Sequence, residues 1–426
     1  MPEIKPFAGY RYSTERFGKD LSALIAPPYD VLDAADKAAL QDKHACNIVT
    51  IDLPHVPPKS AGPDEVYVRA NETLRRWIAD GTLIRDTQPA IYVYHQVYEY
   101  GGRQYTRKKF FARMRLEAFG TGTVFPHEKT FGGPKEDRFK LMQATQHQLS
   151  AVFGLYSDPD NGVSGILDVG STEPDITAEL ENVTNKMWIV QDAATVQAVC
   201  TRLADRPVYI ADGHHRYGTA LNYRDSLGTI PADHPAHYVL VGFCAMEDPG
   251  ALILPTHRVL SGFGSKTHDD VVAALIKGLK DVSQTSAPAD ANQILPANSP
   301  DDLALYLAGD NRVISGQFAQ RDVLRTLAPE QSDAWRDLDV AYLHRYMIDE
   351  LVTKNTLGGD EPKIQYIKLA ADAVQAAKDT TGIALICKAC TMAQLRAVSH
   401  AGDLMPQKTT FFYPKLATGL VLHPLT

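Results

Sequence analysis

Tyr209-Ile-Ala-Asp-Gly-His-His-Arg-Tyr-Gly-Thr-Ala220 is the stretch around which the chain is organised. The apolar residues on either side of Tyr209 predict a short strand, and Arg216 to Asp225 predicts a helix with one apolar face. The N–H groups at the start of a helix have no partners within it and lie at the positive end of the helix dipole, so an anion can bind there. The sequence therefore predicts an anion-binding site at this junction.

The side chains of the junction favour phosphate as that anion. His214, His215 and Arg216 add basic groups, and an arginine can bind phosphate through two parallel hydrogen bonds. Asp212 leaves an alternative open, because an aspartate at this place is also an ordinary N-cap whose carboxylate bonds the first helical amides. In that case the helix is merely capped and its histidines are solvated.

Composition limits the kind of protein that is expected. The 426 residues predict two or three domains at about 100 to 200 residues each, and 44% hydrophobic residues are ample for a core. The formal net charge of -8 does not support non-specific nucleic-acid binding. The N-terminus lacks the apolar stretch of a signal peptide, and no run approaches the roughly 18 apolar residues of a membrane helix. We therefore expect a cytoplasmic protein with a small-molecule partner, no nucleic acid and no membrane.

Five cysteines, an odd number spread thinly through a long chain, do not predict a disulfide framework. Cys387-Lys-Ala-Cys390 has the spacing of half a zinc site. No second Cys or His pair of suitable spacing follows it, so no metal is expected there.

A second chemical stretch, Val124-Phe-Pro-His-Glu-Lys-Thr130, precedes a helix that is predicted to run to about Leu149. His127, Glu128, Lys129 and Thr130 form an acid–base set on this loop, and loops commonly carry function. The alternative is a solvated polar loop. A zinc-protease motif is excluded, because no second histidine follows at the required helical position.

Three further places carry candidate polar groups. Ala26-Pro-Pro-Tyr-Asp30 presents Asp30 from a stiff loop, where it either caps the chain or holds a metal or a substrate amine. His257 and Arg258 fit a phosphate pocket, although an isolated basic pair is also common at protein surfaces. The segment from Gly402 to Gly419 places Lys408 and Lys415 among aromatic residues and prolines. A disordered tail would be poorer in aromatics, so this tail is predicted to fold back, with its two lysines as candidates for the anion site.

The order of elements predicts an α+β (mixed α/β) fold. Residues 91–98 and 105–116 predict a hairpin through Gly101-Gly102, and the last third alternates helices with strands. We predict three regions: 1–160 with the His-Glu loop, 161–262 with the Asp-Gly-His-His-Arg helix start, and 263–426 with a tail that returns to the site.

The motifs also resemble a known family. Ala26-Pro-Pro-Tyr-Asp30, Pro126-His-Glu-Lys-Thr130, Ala211-Asp-Gly-His-His-Arg-Tyr217, Pro255-Thr-His-Arg258 and Met405-Pro-Gln-Lys-Thr-Thr-Phe-Phe-Tyr-Pro-Lys415 resemble, in this order and over nearly the whole chain, the bacterial and archaeal DUF1015 family of uncharacterised proteins. The Asp-Gly-His-His-Arg segment alone looks like the phosphate-binding box of the ParB/sulfiredoxin superfamily, which includes nucleotide-dependent free-serine kinases.

The superfamily resemblance implies a small ParB/sulfiredoxin-like α+β core, with additional α/β segments, in which the box opens a helix and binds phosphates. Carried onto this chain, Gly213, His214 and Arg216 contact phosphate, and Asp212 matches an acidic position near metal and transferred phosphate. The kinases' acidic base lies on a separate loop, and Glu128 is a candidate for it by chemistry alone. The double histidine departs from the Glu-Arg-Arg box of chromosome-partitioning ParB proteins, which argues against a DNA clamp.

The resulting hypothesis is a phosphotransferase that acts on a small hydroxyl metabolite such as free serine, with ADP, ATP or pyrophosphate as the donor and Mg²⁺ as a cofactor. Asp212 positions the Mg²⁺ ion, and Glu128 or His127 takes the hydroxyl proton. The candidates for donor binding share a basic group or a helix-start amide and are Gly213, His214, His215, Arg216, His257, Arg258, Lys408 and Lys415.

Two other functions stay open, a non-catalytic nucleotide-binding regulatory protein and a phosphate-ester hydrolase. The sequence leaves the oligomeric state open as well, a homo-oligomer included.

Overall fold

The chain forms two units in this computed structural model, which describes residues 2–57, 60–128 and 132–426. The first unit comprises Met1–Leu252 together with Pro414–Thr426, and the second comprises Ile253–Tyr413. The chain therefore leaves the first unit once and returns to it near the C-terminus.

The strands follow one another in short segments along the whole chain. In chain order they are β1 (Ile4–Lys5), β2 (Tyr10–Tyr12), β3 (Leu83–Arg85), β4 (Ile91–Tyr100), β5 (Arg103–Arg115), β6 (Val124–Phe125), β7 (His147–Gln148), β8 (Val152–Tyr156), β9 (Ile176–Leu180), β10 (Val183–Val190), β11 (Val208–Asp212), β12 (Tyr238–Ala245), β13 (Leu252–Leu254), β14 (His257–Ser261), β15 (Leu279–Ser286), β16 (Leu303–Leu307), β17 (Arg312–Phe318), β18 (Lys363–Ile367), β19 (Ile383–Cys387), β20 (Phe411–Tyr413) and β21 (His423–Pro424).

The helices lie between these strands. They are α1 (Thr14–Phe17), α2 (Ala34–Lys43), α3 (Val49–Asp52), α4 (Asp64–Ala79), α5 (Gly132–Thr145), α6 (Gly162–Ile166), α7 (Ala193–Leu203), α8 (His214–Ser226), α9 (His268–Ile276), α10 (Val323–Leu327), α11 (Asp333–Arg336), α12 (Asp339–Ala341), α13 (Ala370–Thr380) and α14 (Met392–His400), with a π-helix over Tyr342–Lys354. Within the described ranges, no helix is long and apolar enough to cross a membrane.

A nine-stranded sheet organises the first unit, in the order β6-β11-β8-β12-β5-β4-β10-β9 with β1 paired to β5. Most pairs are antiparallel, but β11 runs parallel to β6, and β12 runs parallel to β8. The pairing of β11 with β8 shifts between Ile210 and Asp212, where a bulge interrupts the register. Because a bulge bends its strand and redirects the next side chain, it helps to set the direction of Asp212 at the strand end.

One face of this sheet is covered by helices and forms the main core. Alternating residues of β11, such as Val208 and Ile210, meet Tyr217 and Ala220 of α8, as expected for a period of two on the strand and about four on the helix. Each of these side chains is at most 1% exposed, and burying a valine or isoleucine side chain stabilises a fold by about 1.5–3 kcal/mol. This packing holds the start of α8 firmly against the end of β11.

The second unit contains a six-stranded antiparallel sheet in the order β15-β17-β16-β19-β14-β18. Ala373 and Ala377 of α13 are fully buried and pack on one face of it, against Val259 and Ala384 among others. Small residues on the helix allow a close approach between α13 and the sheet. The neighbouring internal strands β14 and β19 carry Arg258 and Cys387.

The predicted mixed α/β class is confirmed, as is the hairpin of β4 and β5. Its turn residues Gly101 and Gly102 have φ angles of 59° and 72°, which glycine adopts at low cost. The ParB/sulfiredoxin-like core stays a prediction.

The predicted boundaries at residues 160 and 262 do not coincide with the two units. Strands β9 and β10, which lie beyond residue 160, pair with each other and with β4 in the same sheet. The turn between β9 and β10 has positive φ angles of 51° at Glu181 and 61° at Asn182, as in the two-residue turns that close hairpins. The turn residues here therefore join two paired strands of one sheet and do not separate two regions. The helix that was expected to reach Leu149 ends at Thr145, because Gln146 adopts a φ of 53°.

Candidate functional site

Gly213 joins β11 to α8 and defines the geometry of the candidate site. Its φ and ψ of 85° and 29° are left-handed, and a Cβ atom at this position would lie 2.9 Å from Arg216 Nε. Gly213 is the N-cap, and its carbonyl oxygen accepts the first helical hydrogen bond from Tyr217 N–H at 2.9 Å. A glycine has no side chain to cap the first helical amides, so the helix start keeps the geometry of an anion site.

Asp212 is therefore not the N-cap of α8. Its Oδ1 accepts from the Gly213 N–H at 2.7 Å and lies 3.6 Å from Arg216 Nη2, while its Oδ2 accepts from Lys415 Nζ at 2.7 Å. Burial by itself would raise the pKa of Asp212, but the charges of Lys415 and Arg216 lower it well below its ordinary value. The carboxylate is ionised and holds two cations.

Arg216 is fixed from two sides. Its Nη1 donates to the carbonyl oxygen of Ala151, just before β8, and its Nη2 faces Asp212. Burial lowers the pKa of Arg216, but the carboxylates of Asp212 and Asp30 raise it more strongly, so the guanidinium keeps its charge at 7% exposure. Asp30, a candidate from its stiff loop, thus acts on Arg216 by charge.

The His-Glu loop reaches the start of α8 through His127. The backbone N–H of His127 donates to His214 Nε2 at 3.2 Å. The two imidazole rings meet edge to face, with their centroids 4.7 Å apart. His127 Nδ1 lies 2.7 Å from the carbonyl oxygen of Ile210, an acceptor, so Nδ1 carries the proton and the lone pair is on Nε2. Burial lowers the pKa of both histidines, so both are neutral at pH 7.

Glu128 lies beside this pair and is half-buried. Its charge and that of Asp212 raise the pKa of His127 against the larger effect of burial. Lys129 and Thr130, the next residues of the predicted acid–base set, lie outside the described residues.

A buried ion cluster next to Arg216 was missed by the sequence analysis. Arg138 Nη2 lies 2.6 Å from Asp137 Oδ2, its Nη1 lies 3.4 Å from Asp52 Oδ1, and its guanidinium lies 3.9 Å from the ring centroid of Tyr29. The only sequence signal for this cluster was an aspartate, Asp52, at the end of an apolar run.

A cavity of about 30 Å³ lies between this cluster and the helix start. Arg138, Asp52 and Arg216 line it, and so does Thr219, whose Oγ1 is buried without a hydrogen-bond partner in the part of the chain that the structure describes. The space suits about one water molecule and not a metabolite.

The candidates divide between the two units. The first unit brings together His127, Asp212, Gly213, His214, Arg216 and Lys415, with Glu128 beside His127 and the half-buried His215 next along α8. Lys415, in the C-terminal part of the first unit, contacts Asp212.

His257, Arg258 and Lys408 lie in the second unit. There Arg258 Nη2 donates to the carbonyl oxygen of Lys408 at 3.2 Å, Arg258 Nε donates to His344 Nε2 at 3.0 Å, and His257 Nδ1 accepts from the N–H of Cys387 at 3.1 Å. These contacts are internal to the second unit, and Lys408 takes part through its backbone.

The predicted Mg²⁺ ligand Asp212 already has partners for both of its carboxylate oxygens. Each oxygen of this carboxylate already faces a cation or an N–H group. Over residues 2–57, 60–128 and 132–426, no three His, Cys, Asp or Glu side chains are grouped to hold a metal ion. While Lys415 and Arg216 face Asp212, its carboxylate has no open oxygen for Mg²⁺, and the predicted role of Asp212 in positioning Mg²⁺ stays a prediction.

Several solved structures are similar to this chain. A free serine kinase in complex with AMP is 12% identical, with 73% of this chain and 92% of that chain covered and a TM-score of 0.32. A conserved hypothetical protein from Pyrococcus furiosus is 13% identical, with 73% and 95% covered and a TM-score of 0.32. SbnI with a C-terminal truncation, from Staphylococcus aureus, is 11% identical, with 71% and 84% covered and a TM-score of 0.33.

No curated protein matches the chain. The family described as protein of unknown function, DUF1015, matches residues 4–341. These residues include all of the first unit's nine-stranded sheet and the junction at Gly213. The chain therefore belongs to the DUF1015 family.

Proposed function

We propose that the first unit is a phosphotransferase, which moves a phosphoryl group from ADP, ATP or pyrophosphate to the hydroxyl of a small metabolite. The observation that carries this proposal is the helix start at Gly213, which has no capping side chain and is flanked by the buried Arg216 and by the Asp212–Lys415 ion pair. Phosphoryl transfer needs mainly positioning and neutralisation of charge, and this arrangement offers amides and two cations for that purpose.

The donor phosphates bind at the first amides of α8. Lys415 and Arg216 then turn from Asp212 towards the phosphate oxygens, because a phosphate carries more charge than one carboxylate and arginine can bind it through two hydrogen bonds. Lys415 and Asp212 are each 19% exposed, so a ligand can reach their ion pair from solvent.

His127 is our first choice for the group that accepts the hydroxyl proton. It is neutral at pH 7, its Nδ1 is tied to Ile210, and its lone pair is on Nε2. Glu128 is the second choice, because it is half-buried beside the ring. The acceptor class follows from this chemistry: a small molecule with a hydroxyl group, of which free serine is the first candidate.

We expect Mg²⁺ to reach the site already bound to the phosphate donor. Nucleotides bind Mg²⁺ through their own phosphate oxygens, and protein sites often add only one or two carboxylates. The complex of the donor with Mg²⁺ is therefore the species that we expect the helix start to bind.

³¹P NMR of the protein with Mg²⁺, serine and each donor in turn tests the proposal, because it follows donor loss and product gain together. A new phosphoester signal is the expected result. Loss of donor with release of inorganic phosphate, without any acceptor, would indicate a hydrolase. Tight nucleotide binding by calorimetry without any turnover, over a panel of hydroxy acids, would indicate a regulatory nucleotide-binding protein.

A further inference from the structure

Two cysteines of the second unit line one cavity. Cys387 ends β19, and Cys390 directly precedes Thr391, the N-cap of α14. Both cysteines are half-buried free thiols, so part of each residue faces solvent. Both also border a cavity of about 30 Å³ together with Arg258 and Asp339, which has room for about one water molecule, so an external disulfide has to reach the thiols from the solvent side. The proposed phosphotransfer does not use this Cys-Lys-Ala-Cys segment.

The two thiols have different surroundings. Burial raises the pKa of Cys387, but the guanidinium of Arg258 opposes this through its charge and a hydrogen bond. Burial raises the pKa of Cys390 to about 12, and the carboxylate of Asp339 adds to the rise. Cys387 is therefore the thiol that ionises more readily, and a thiolate is the nucleophile in disulfide chemistry.

The backbone around Cys387 is held in place. Its N–H donates to His257 Nδ1 at 3.1 Å, and its Sγ donates to the carbonyl oxygen of Leu385 at 3.4 Å. Cys390 Sγ donates to the carbonyl oxygen of Thr391 at 3.4 Å. A strand end and a capped helix thus position two thiols, three residues apart, at one small space.

We propose that Cys387 and Cys390 form a thiol–disulfide exchange site, which a low-molecular-weight disulfide such as oxidised glutathione converts to an intramolecular disulfide. The Cys387 thiolate attacks one sulfur of glutathione disulfide, forming a mixed disulfide and releasing one glutathione thiolate, which is protonated. Cys390 then loses its proton to solvent and attacks Cys387 Sγ, and the second glutathione leaves as a thiol. Two protein thiols are oxidised by two electrons, and one disulfide is reduced to two thiols.

The experiment uses the full-length protein in buffers with different ratios of reduced to oxidised glutathione. After acid quenching and alkylation with N-ethylmaleimide, peptide mass spectrometry measures the Cys387–Cys390 disulfide as a function of the ratio. We expect this disulfide to form reversibly, with one midpoint. Circular dichroism at each ratio checks that the protein stays folded.

Two single variants and one control sharpen the assignment. In Cys390→Ser, glutathione should remain bound to Cys387 as a mixed disulfide. In Cys387→Ser, glutathione should react with Cys390 at least about tenfold more slowly, because a smaller fraction of Cys390 is present as the thiolate. Cys46→Ser, which changes a half-buried cysteine of the first unit, should leave the Cys387–Cys390 titration unchanged.

Two results would overturn the proposal. One is complete alkylation of both cysteines under the most oxidising buffer while the wild-type protein remains folded. The other is stoichiometric zinc that protects both thiols from alkylation, which would make the pair part of a metal site. Both results come from the wild-type protein, so they do not depend on whether the variants fold.

Discussion

Each unit buries a histidine and an arginine close together, at the start of α8 in the first unit and at the start of β14 in the second, but the two arginines have different partners. Arg216 follows Gly213 at a helix start and faces the Asp212 carboxylate at 3.6 Å. Arg258 lies in β14 and donates to His344 and to the carbonyl oxygen of Lys408. A guanidinium bound to carbonyl oxygens and imidazole joins chain segments, whereas one beside a carboxylate at a helix start can exchange that partner for phosphate.

The comparison shows that residue type alone does not define an anion site. Both histidine–arginine pairs are nearly fully buried, and burial lowers the pKa of both histidines. The difference lies in the backbone, because a left-handed glycine opens a helix beside Arg216, while Arg258 lies in a strand that is paired on both sides. Paired variants of the two units can test this distinction.

The largest expected effect is at Arg216. Arg216→Lys keeps a charge but removes the two-pronged hydrogen bonding, and we expect the rate of phosphotransfer to fall by about 10³-fold or more. Arg258→Lys should leave the rate within about twofold and cost about 1–3 kcal/mol of unfolding free energy, because buried carbonyl oxygens lose donors. Single-turnover rates and urea unfolding measure both. Equal losses of rate in the two variants would contradict the distinction.

A smaller effect is expected at His127. His127→Gln should lower kcat by about 10²-fold, the usual range for a proton-transfer group, while His257→Gln should not change it. The base must be neutral, so the wild-type rate should fall only as the pH drops through the lowered pKa of His127, below its ordinary value of about 6.5. A full rate in His127→Gln, with the loss found in Glu128→Gln instead, would assign the base to Glu128.

The two tail lysines form a matched pair. Lys415→Met removes the cation that bonds Asp212, and we expect the KM for the donor to rise about tenfold, as for one lost phosphate contact. Lys408→Met should leave it unchanged, because the observed contact of Lys408 with Arg258 uses its backbone carbonyl. Initial rates over a range of donor concentrations provide the measurement. A KM that rises in both variants would place both side chains at the donor.

The sequence was sufficient to locate the helix start, because alternating apolar residues, a glycine and basic residues are local signals. The sequence also predicted that the segment around Lys415 is packed against the protein, since aromatic residues and prolines are frequent there. The division of candidates between units was not predictable, because His257 and Lys408 have the same chemistry as residues of the site. Nor was the Asp52–Arg138 cluster, whose members are 86 residues apart and meet only through tertiary packing.

The smallest expected effect concerns acid stability at the Asp212 pair. Burial would raise the pKa of Asp212, but Lys415 and Arg216 lower it below the value of about 3.9 that it has in an unfolded chain. A lowered folded-state pKa means that the stabilisation is fully present above the unfolded value and is lost as the pH falls towards the folded one. Asp212→Asn should therefore lose less unfolding free energy than the wild type between about pH 5 and about pH 3.

Tryptophan fluorescence can restrict this measurement to the first unit. The chain has three tryptophans, and Trp335→Phe removes that of the second unit, leaving Trp77 and Trp188. Asp225→Asn on the same helix is the control, because its partner Arg224 is a surface neighbour, and such pairs contribute about 0–1 kcal/mol. If Asp212→Asn and Asp225→Asn lost stability equally as the pH falls, the carboxylate of Asp212 would not be held by its two cations. The ion pair of Asp212 with Lys415, which we expect phosphate to displace, would then contribute no measurable stability.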